Sequence, residues 1–201
     1  MTPEYPANVL LLLAEGFEDL EAVAFLDVCG WTEYRDDMPI VTVTTAGFHE
    51  EVHGRFGLSI KPDVLMGRIN AKNYAALAVP GGFRSHGYDE IYDKEVYDLI
   101  RTIHGQGGTI ATMCVGILPV AEAGLLKGKH ATCYPHSRHD NLAMLKKLGA
   151  TVADESVVVD DRIISSAGPG LAIEVALLMI DTIVGSEVGD KLRHYMCIKS
   201  K

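Results

Sequence analysis

Residues 108–126 read GTIATMCVGILPVAEAGLL, and their pattern is a strong indicator of the fold class. Its first six residues have the apolar pattern of a buried strand, and a helix rich in small residues follows Gly116 and ends at Ala123. Cys114 lies at the junction, which is the strand–turn–helix context of a nucleophile elbow. The sequence predicts a solvent-facing thiol whose pKa is lowered by the helix start, with the N–H groups of Val115 and Gly116 directed at the reacting atom. A buried structural cysteine is the alternative.

The rest of the chain alternates short apolar runs with longer amphipathic stretches. We predict strands over residues 9–13, 40–45, 75–79 and 108–113, a hairpin or loop over 47–60, a hairpin over 156–166, and helices after residue 14 and over 93–104, 141–148 and 170–184, the last being the final helix. This order is typical of an α/β fold with a mostly parallel sheet between helices. The sequence has no internal repeat and no linker, which predicts a single domain over residues 1–201.

Composition narrows the class of protein. The 201 residues are 48% hydrophobic and 22% charged, which is the balance of a folded globular chain. A net charge of -9 with scattered basic residues argues against nucleic acid as the primary partner. The apolar run at residues 9–14 is too short to span a membrane and lacks a preceding basic region, so we expect no membrane association, no signal peptide and a cytoplasmic location.

Two further segments bear on a site at the sheet edge. Acidic residues cluster at the start of the first predicted helix, among them Glu18, Asp19 and Glu21. The strand at residues 75–79 stops at Pro80-Gly81-Gly82, where the glycines allow a tight turn. Ligand sites in open α/β sheets lie at this carboxyl edge of the strands.

Four collinear motifs carry a family resemblance: LLLAEGFEDLEAV at residues 11–23, LAVPGGF at 77–83, ATMCVGILPVAEAGLL at 111–126 and SSAGPGLAIEVALLMIDTIVG at 165–185. With them the chain resembles the ThiJ/PfpI superfamily, which has the class I glutamine amidotransferase-like fold, and its motifs are most similar to those of the deglycase branch. The resemblance implies a flavodoxin-like three-layer sandwich with a mostly parallel sheet, a nucleophile elbow at Cys114, and a homodimer.

The resemblance also implies roles for individual residues. The reactive cysteine of the family matches Cys114, and its acidic partner matches Glu21, with Glu18 and Asp19 as rivals. In the family this carboxyl group is protonated and donates to the sulfur, which agrees with the raised pKa expected of a desolvated carboxyl beside an anion. The N–H groups of Gly82 and Val115 match an oxyanion hole. The alternative for Glu21 is an ordinary solvated carboxylate at a helix start.

The sequence departs from the family at the pocket. The peptidase branch has a histidine after the cysteine, where this chain has Val115, so a Cys–His dyad of that type is absent. Tyr134 stands where deglycases have a histidine, and His136 is a candidate general base unless, like His139, it is a solvated loop residue. Arg55 resembles an arginine that reaches across the dimer interface toward the partner's pocket; a surface arginine is the alternative.

A second departure is the polar segment WTEYRDDMP at residues 31–39, with Trp31 where deglycases tend to have an arginine. Arg84 and His86, after the glycine turn, are candidates to replace it at the pocket rim, or are solvated loop residues. The spacing of Cys133 with the nearby histidines suggests a metal, but no second cluster completes a ligand set, so we expect no metal site. The remaining cysteines form no CxxC pair.

The family implies a cofactor-independent cysteine enzyme that acts on a small-molecule carbonyl, as a glyoxalase III or a deglycase. Cys114 would add to the carbonyl and Glu21 would transfer the proton. The main alternative is a redox-sensing stress protein or chaperone that uses an oxidisable Cys114. An isonitrile hydratase-like or peptidase-like hydrolase is a minor alternative.

Overall fold

The computed structural model describes residues 7–199. Its strands are, in chain order, β1 (Ala7–Leu13), β2 (Val41–Gly47), β3 (Val52–His53), β4 (Ser59–Ile60), β5 (Val64–Leu65), β6 (Ala76–Val79), β7 (Thr109–Thr112), β8 (His130–Ala131), β9 (Thr151–Val152), β10 (Val157–Asp160) and β11 (Ile163–Ser166). Its α-helices are α1 (Asp19–Gly30), α2 (Lys94–Gly105), α3 (Leu118–Glu122), α4 (Asn141–Lys147), α5 (Ala172–Val184) and α6 (Ser186–Tyr195).

Seven of these strands form one sheet in the order β10-β11-β7-β6-β1-β2-β5. Neighbouring strands run parallel, except that β10 pairs antiparallel with β11 at one edge. The predicted hairpins are present as the pairs β3–β4 and β10–β11. The predicted α/β fold with a mostly parallel sheet is therefore confirmed.

The central strand β1 is apolar on both faces because the sheet is covered on both sides. Its alternate residues Val9, Leu11 and Leu13 pack into one core with α1 and α5. Leu10 and Leu12 pack into a second core with side chains of α2 and of the segment around α3. This alternation follows from the two-residue period of a strand, and it produces three layers.

The prediction that the helix over residues 170–184 is the last one is wrong. After α5 the chain turns at Gly185, whose φ is 104°, and continues as α6. The sequence of α6 contains few apolar residues, but Val188 and Leu192 are buried at the i, i+4 spacing of one helical face, which is a helical signal that was missed. The helix is also held by an ion pair, because Arg193 Nη2 lies 2.6 Å from Asp181 Oδ2 in α5.

Parallel pairing brings three loops together at one edge of the sheet. Strands β1, β6 and β7 are neighbours, and their carboxyl ends lead respectively into α1, the glycine turn and the turn at Cys114. The three predicted site segments thus meet. Among residues 7–199, no helix has the length and apolar character needed to cross a bilayer.

Candidate active site

The turn at Cys114 has the strained geometry of a nucleophile elbow. Cys114 has a φ of 54°, in the left-handed region that residues with a side chain rarely occupy. A 3₁₀ turn, Cys114–Ile117, begins at this residue and leads into α3, which covers most of the helix predicted after Gly116. Gly116 permits this path, since a Cβ there would lie 2.4 Å from Val79 O.

The Cys114 side chain is less open than predicted. Its residue exposure is 9%, so the side chain is largely buried. The predicted lowering of its pKa is also wrong: burial, followed by repulsion from Glu21, raises the pKa of the Cys114 thiol. Desolvation of the thiolate outweighs the short 3₁₀ turn, which has few aligned peptide dipoles to offer.

Glu21 is completely buried in the first turn of α1. Its Oε2 accepts a hydrogen bond of 2.6 Å from the Gly81 N–H, whereas its Oε1 is a buried atom with no partner among the described residues. Burial raises the pKa of Glu21 to about 8, despite the Gly81 hydrogen bond that opposes the shift. The carboxyl group is therefore protonated at neutral pH, with one oxygen available to a group beside it.

Gly81 joins the acid to the cysteine. A Cβ built on Gly81 would lie 2.7 Å from Cys114 Cβ, 3.0 Å from Glu21 Oε2 and 3.1 Å from Val115 N. Only a residue without a side chain allows the backbone to pass between these groups. Gly82 was predicted from the PGG motif to be the functional glycine, and the same motif also contains Gly81.

Of the backbone donors expected at the site, one is seen to donate to the sulfur. The Val115 N–H donates to Cys114 Sγ, and it opposes the rise of the thiol pKa. Gly82 is half-buried, and no acceptor for its N–H is found within residues 7–199. The Gly116 N–H, which was expected to face the site, instead donates to Met113 O at 2.8 Å.

The two acidic rivals of Glu21 have different tasks. Glu18 caps α1, because its Oε2 accepts the Glu21 N–H at 2.8 Å, and burial raises its pKa. Asp19 faces away toward the β3–β4 hairpin, where it accepts the N–H groups of Phe56 and Leu58. Of the three acids, Glu21 is the one that meets the glycine turn and the elbow.

The histidines are not brought to the sulfur. His136 is exposed, and its ring packs edge-on against Tyr134 with centroids 5.7 Å apart. Tyr134 in turn lies against Gly168, where a Cβ would be 3.3 Å from its ring. His139 is exposed as well, and the described part of the chain contains no group of histidine, cysteine and acidic residues suited to a metal ion.

The basic residues near the glycine turn are exposed. Arg55 lies over the rings of Phe56 and Phe83, at 5.3 and 5.9 Å from their centroids. Arg84 stacks on Tyr92 at 4.4 Å and pairs with Asp89. His86 is hydrogen-bonded to Ser85 and packs on Phe83. None of these contacts of Arg84 and His86 involves Cys114.

Tyr88 is a supporting residue that the sequence analysis missed. It is fully buried, its hydroxyl donates to Pro80 O, and its ring fills the space that a Cβ on Gly82 would occupy. The ring and the hydrogen bond together fix the glycine turn. No pattern in the sequence relates a tyrosine six residues later to this turn, because the contact depends on the path of the loop.

Comparison with known proteins agrees with this geometry. The sequence profile of the DJ-1/PfpI family matches residues 7–182. The chain is 31% identical over 164 residues to "Deglycase PfpI" of Pyrococcus furiosus, covering 81% of this chain and 91% of that protein. It is 27% identical over 191 residues to "Glutathione-independent glyoxalase DJR-1.2" of Caenorhabditis elegans, covering 94% and 95%. The crystal structure of Drosophila melanogaster DJ-1beta superposes with a TM-score of 0.83 at 26% identity, covering 98% of this chain and 100% of that one.

Proposed function

We propose that this chain, which belongs to the DJ-1/PfpI family, is a cysteine enzyme that needs no cofactor and acts on reactive carbonyls such as methylglyoxal, as a glyoxalase or deglycase. One observation carries the proposal: the buried Oε1 of Glu21 has no partner among the described residues and belongs to a protonated carboxyl beside Cys114. A proton held beside a nucleophile is what addition to a carbonyl requires. The names of the glyoxalase and deglycase relatives support the same reaction class.

The pair reacts after losing one of its two protons. In the form with a Cys114 thiolate and a protonated Glu21, the sulfur bonds to the aldehyde carbon while the C=O π bond opens. Glu21 gives its proton to the new oxyanion, and a hemithioacetal results. The Glu21 carboxylate then removes the hydrogen from that carbon as a proton, which leaves an enediol, and the proton is returned to the neighbouring carbon. The hydroxyl proton on the first carbon passes to the oxygen on its neighbour, so the first carbon becomes the C=O of a thioester and the neighbour becomes an alcohol.

Water then cleaves the thioester to release lactate and regenerate the thiol. Over the cycle one carbon of methylglyoxal is oxidised and its neighbour is reduced, and one water is consumed. The electrons balance within the substrate, which is why the proposal includes no external oxidant or reductant. Gly82 and Val115 are the proposed oxyanion donors; the Gly82 N–H, for which the described residues provide no acceptor, supports this role for Gly82.

The test is methylglyoxal consumption with lactate release by the purified protein, beside Cys114→Ser and Glu21→Gln variants. We expect turnover in the natural sequence and its loss in both variants, with each variant retaining its fold by circular dichroism. Turnover that persists in Cys114→Ser would refute the nucleophile, and turnover that persists in Glu21→Gln would refute the proton transfer.

Redox sensing is the second candidate, because a protonated carboxyl beside Cys114 also suits a sulfinate as hydrogen-bond acceptor. It predicts that intact mass increases by two oxygen atoms at mild peroxide concentrations, that Glu21→Gln prevents this stable product, and that no aldehyde is turned over. A role in the stress response belongs to this candidate.

We further propose a homodimer, one domain over residues 1–201 and a cytoplasmic location. Leu20 and Val23 are 53% and 41% exposed on the outer face of α1, and a groove beside them is lined by Val23, Leu26, Trp31 and Tyr34. Exposed apolar side chains beside a groove support a contact with a second copy. Trp31, at the position where deglycases tend to have an arginine, contributes to this groove.

A further inference from the structure

A second buried cysteine lies at the same edge of the fold as the nucleophile elbow. Cys114 follows β7 and Cys133 follows β8, and their residue exposures are 9% and 1%. Cys133 packs into the second core, which also contains Tyr88 and side chains of α2. The proposed carbonyl chemistry uses Cys114 and gives Cys133 no task.

Hydrogen bonding and strand register place Cys133 near the elbow. Strand β11 runs parallel beside β7, in a register that sets Ser165 level with Thr112. Ser165 Oγ accepts the Thr132 N–H at 3.1 Å, so the chain that leaves β8 is attached at this level. Cys133 is one residue beyond Thr132 and Cys114 two residues beyond Thr112. Both cysteines therefore lie within about two strand spacings, about 10 Å, of Ser165.

The charge of a Cys133 thiolate acts on Cys114. Burial, then repulsion from Glu21 and from Cys133, raises the pKa of the Cys114 thiol, and the contribution of Cys133 exceeds the opposing one of the Val115 N–H that touches the sulfur. Burial, followed by repulsion from Glu21, raises the pKa of Cys133 to about 12, although the Tyr134 N–H donates to its sulfur. Glu21 therefore interacts with both thiols.

The segment that carries Cys133 is able to move toward the elbow. A disulfide requires Cα atoms about 4.4–6.8 Å apart. Strand β8 has two residues, and residues 132–140 form neither helix nor strand. All but one of residues 135–140 are exposed, so a shift of this segment disturbs few packed side chains.

We propose that Cys133 is the resolving thiol of Cys114, the one that attacks its oxidised sulfur, so that a hydroperoxide converts the two into an intramolecular disulfide. In the first step the Cys114 thiolate attacks hydrogen peroxide. The S–O bond forms as the O–O bond breaks, hydroxide leaves and is protonated to water, and the sulfur is oxidised by two electrons to a sulfenic acid.

In the second step the Cys133 sulfur attacks the Cys114 sulfur, and the S–S bond forms as the S–O bond breaks. The Glu21 carboxylate receives the Cys133 proton and passes it to the departing hydroxide. Overall, two thiols and one hydrogen peroxide give one disulfide and two waters, with the peroxide as the oxidant. The disulfide removes the nucleophile until a dithiol restores it, so the site is switched off reversibly.

Mass spectrometry of the whole chain measures this step without any turnover. The reduced protein is treated with a few equivalents of hydrogen peroxide, its remaining thiols are blocked with N-ethylmaleimide, and it is digested without reduction. Trypsin places Cys114 in peptide 102–127 and Cys133 in peptide 130–138. The variants are Cys133→Ala and Cys133→Ser. Cys29→Ala is the matched control, because Cys29 is equally buried but packs into the first core.

We expect the natural sequence to lose two hydrogen atoms in intact mass, to yield peptides 102–127 and 130–138 joined, and to recover its starting mass in dithiothreitol. In both Cys133 variants the joined peptides should be absent and Cys114 should gain two oxygen atoms, with almost complete loss of the thiol that dithiothreitol recovers. Cys29→Ala should behave like the natural sequence.

Three results would overturn the resolving role: a stable sulfinate at Cys114 in the natural sequence, a Cys114 that does not react with peroxide, or peptide 102–127 joined to the peptide of Cys29 or of exposed Cys197. The same product in a folded Cys133 variant as in the natural sequence would also overturn it. The joined peptides of the natural sequence decide the matter even where a variant fails to fold. Methylglyoxal turnover is measured separately without peroxide, and its failure refutes the proposed function while leaving this product readable.

Discussion

Glu21 is the residue on which the chemistry of the site depends. Its burial against Gly81 keeps a proton on a carboxyl that would be ionised in water, and that proton is available beside a sulfur. The same burial means that Glu21 lowers the free energy of unfolding at neutral pH, because the carboxyl loses its proton near pH 4.5 in the unfolded chain and only near pH 8 in the folded chain. Stability and activity therefore compete at this residue.

A stability measurement against pH follows from that competition. Between the unfolded pKa and about 8 the folded state binds more protons than the unfolded state, so the free energy of unfolding falls as pH rises. Glu21→Gln removes this dependence, and we expect it to stabilise the protein by about 1–3 kcal/mol at pH 8 and to have little effect at pH 5. Chemical denaturation at both pH values measures this difference. An equal effect of Glu21→Gln on the free energy of unfolding at pH 5 and pH 8 would contradict the raised pKa of Glu21.

At the scale of elements, the elbow and the glycine turn are held by close backbone contacts. Gly81 and Gly116 each occupy a place where a Cβ would approach another atom to less than 3.0 Å. The sequence allowed the motifs to be located, because PGG and the strand–turn–helix pattern are local signals. It did not reveal which glycine touches the acid, since that depends on how β6 and β7 pair.

Gly81→Ala tests the contact between acid and cysteine. The added Cβ would lie 2.7 Å from Cys114 Cβ, so the turn must shift away from Glu21. We expect kcat/KM for methylglyoxal to fall at least about ten-fold and stability to fall by about 1–3 kcal/mol. Gly105→Ala, at a helical position with open space around it, is the control, and we expect it to leave kcat/KM and stability unchanged. Full activity in Gly81→Ala would show that catalysis does not require the close contact of the Gly81 backbone with Cys114 and Glu21.

The helix α6 is an element whose attachment can be measured. Arg193 makes two short contacts with Asp181, 2.6 and 3.1 Å, and a longer one of 3.5 Å with exposed Asp190. Asp181→Asn should lower stability by about 1 kcal/mol, or Tm by about 2–4 °C, because the half-buried pair loses its charge. Asp190→Asn removes a contact with the same arginine and should be nearly neutral. Equal losses of stability in the two variants would contradict the role of the Arg193–Asp181 pair in attaching α6.

At the scale of the whole molecule, the fold followed from the sequence because β1 and its neighbours have strong apolar runs. The short strands β5 and β9 did not, since they depend on tertiary contacts more than on local pattern, and the helix α6 was missed because few of its residues are apolar. The thiol pKa was mispredicted for a related reason: the depth of Cys114 is set by residues far apart in the chain.

The proposed homodimer uses the exposed apolar face of α1. Leu20→Glu would place a charge on the exposed face of α1, and we expect a dimer of the natural sequence to become a monomer in light scattering after size exclusion. Ile40→Glu, at a similarly exposed apolar residue outside α1, should remain dimeric. A monomer in the natural sequence, or a dimer unaffected by Leu20→Glu, would rule out this face.

Cys114 and Glu21 are proposed to act as one catalytic pair on a reactive carbonyl. The most direct measurement is lactate formed from methylglyoxal by the natural sequence, Cys114→Ser and Glu21→Gln, with intact mass recorded before and after. We expect lactate formation that rises as pH approaches about 8 and that is abolished in both variants. Absence of lactate in the natural sequence, with Cys114 present as the unoxidised thiol, would contradict it.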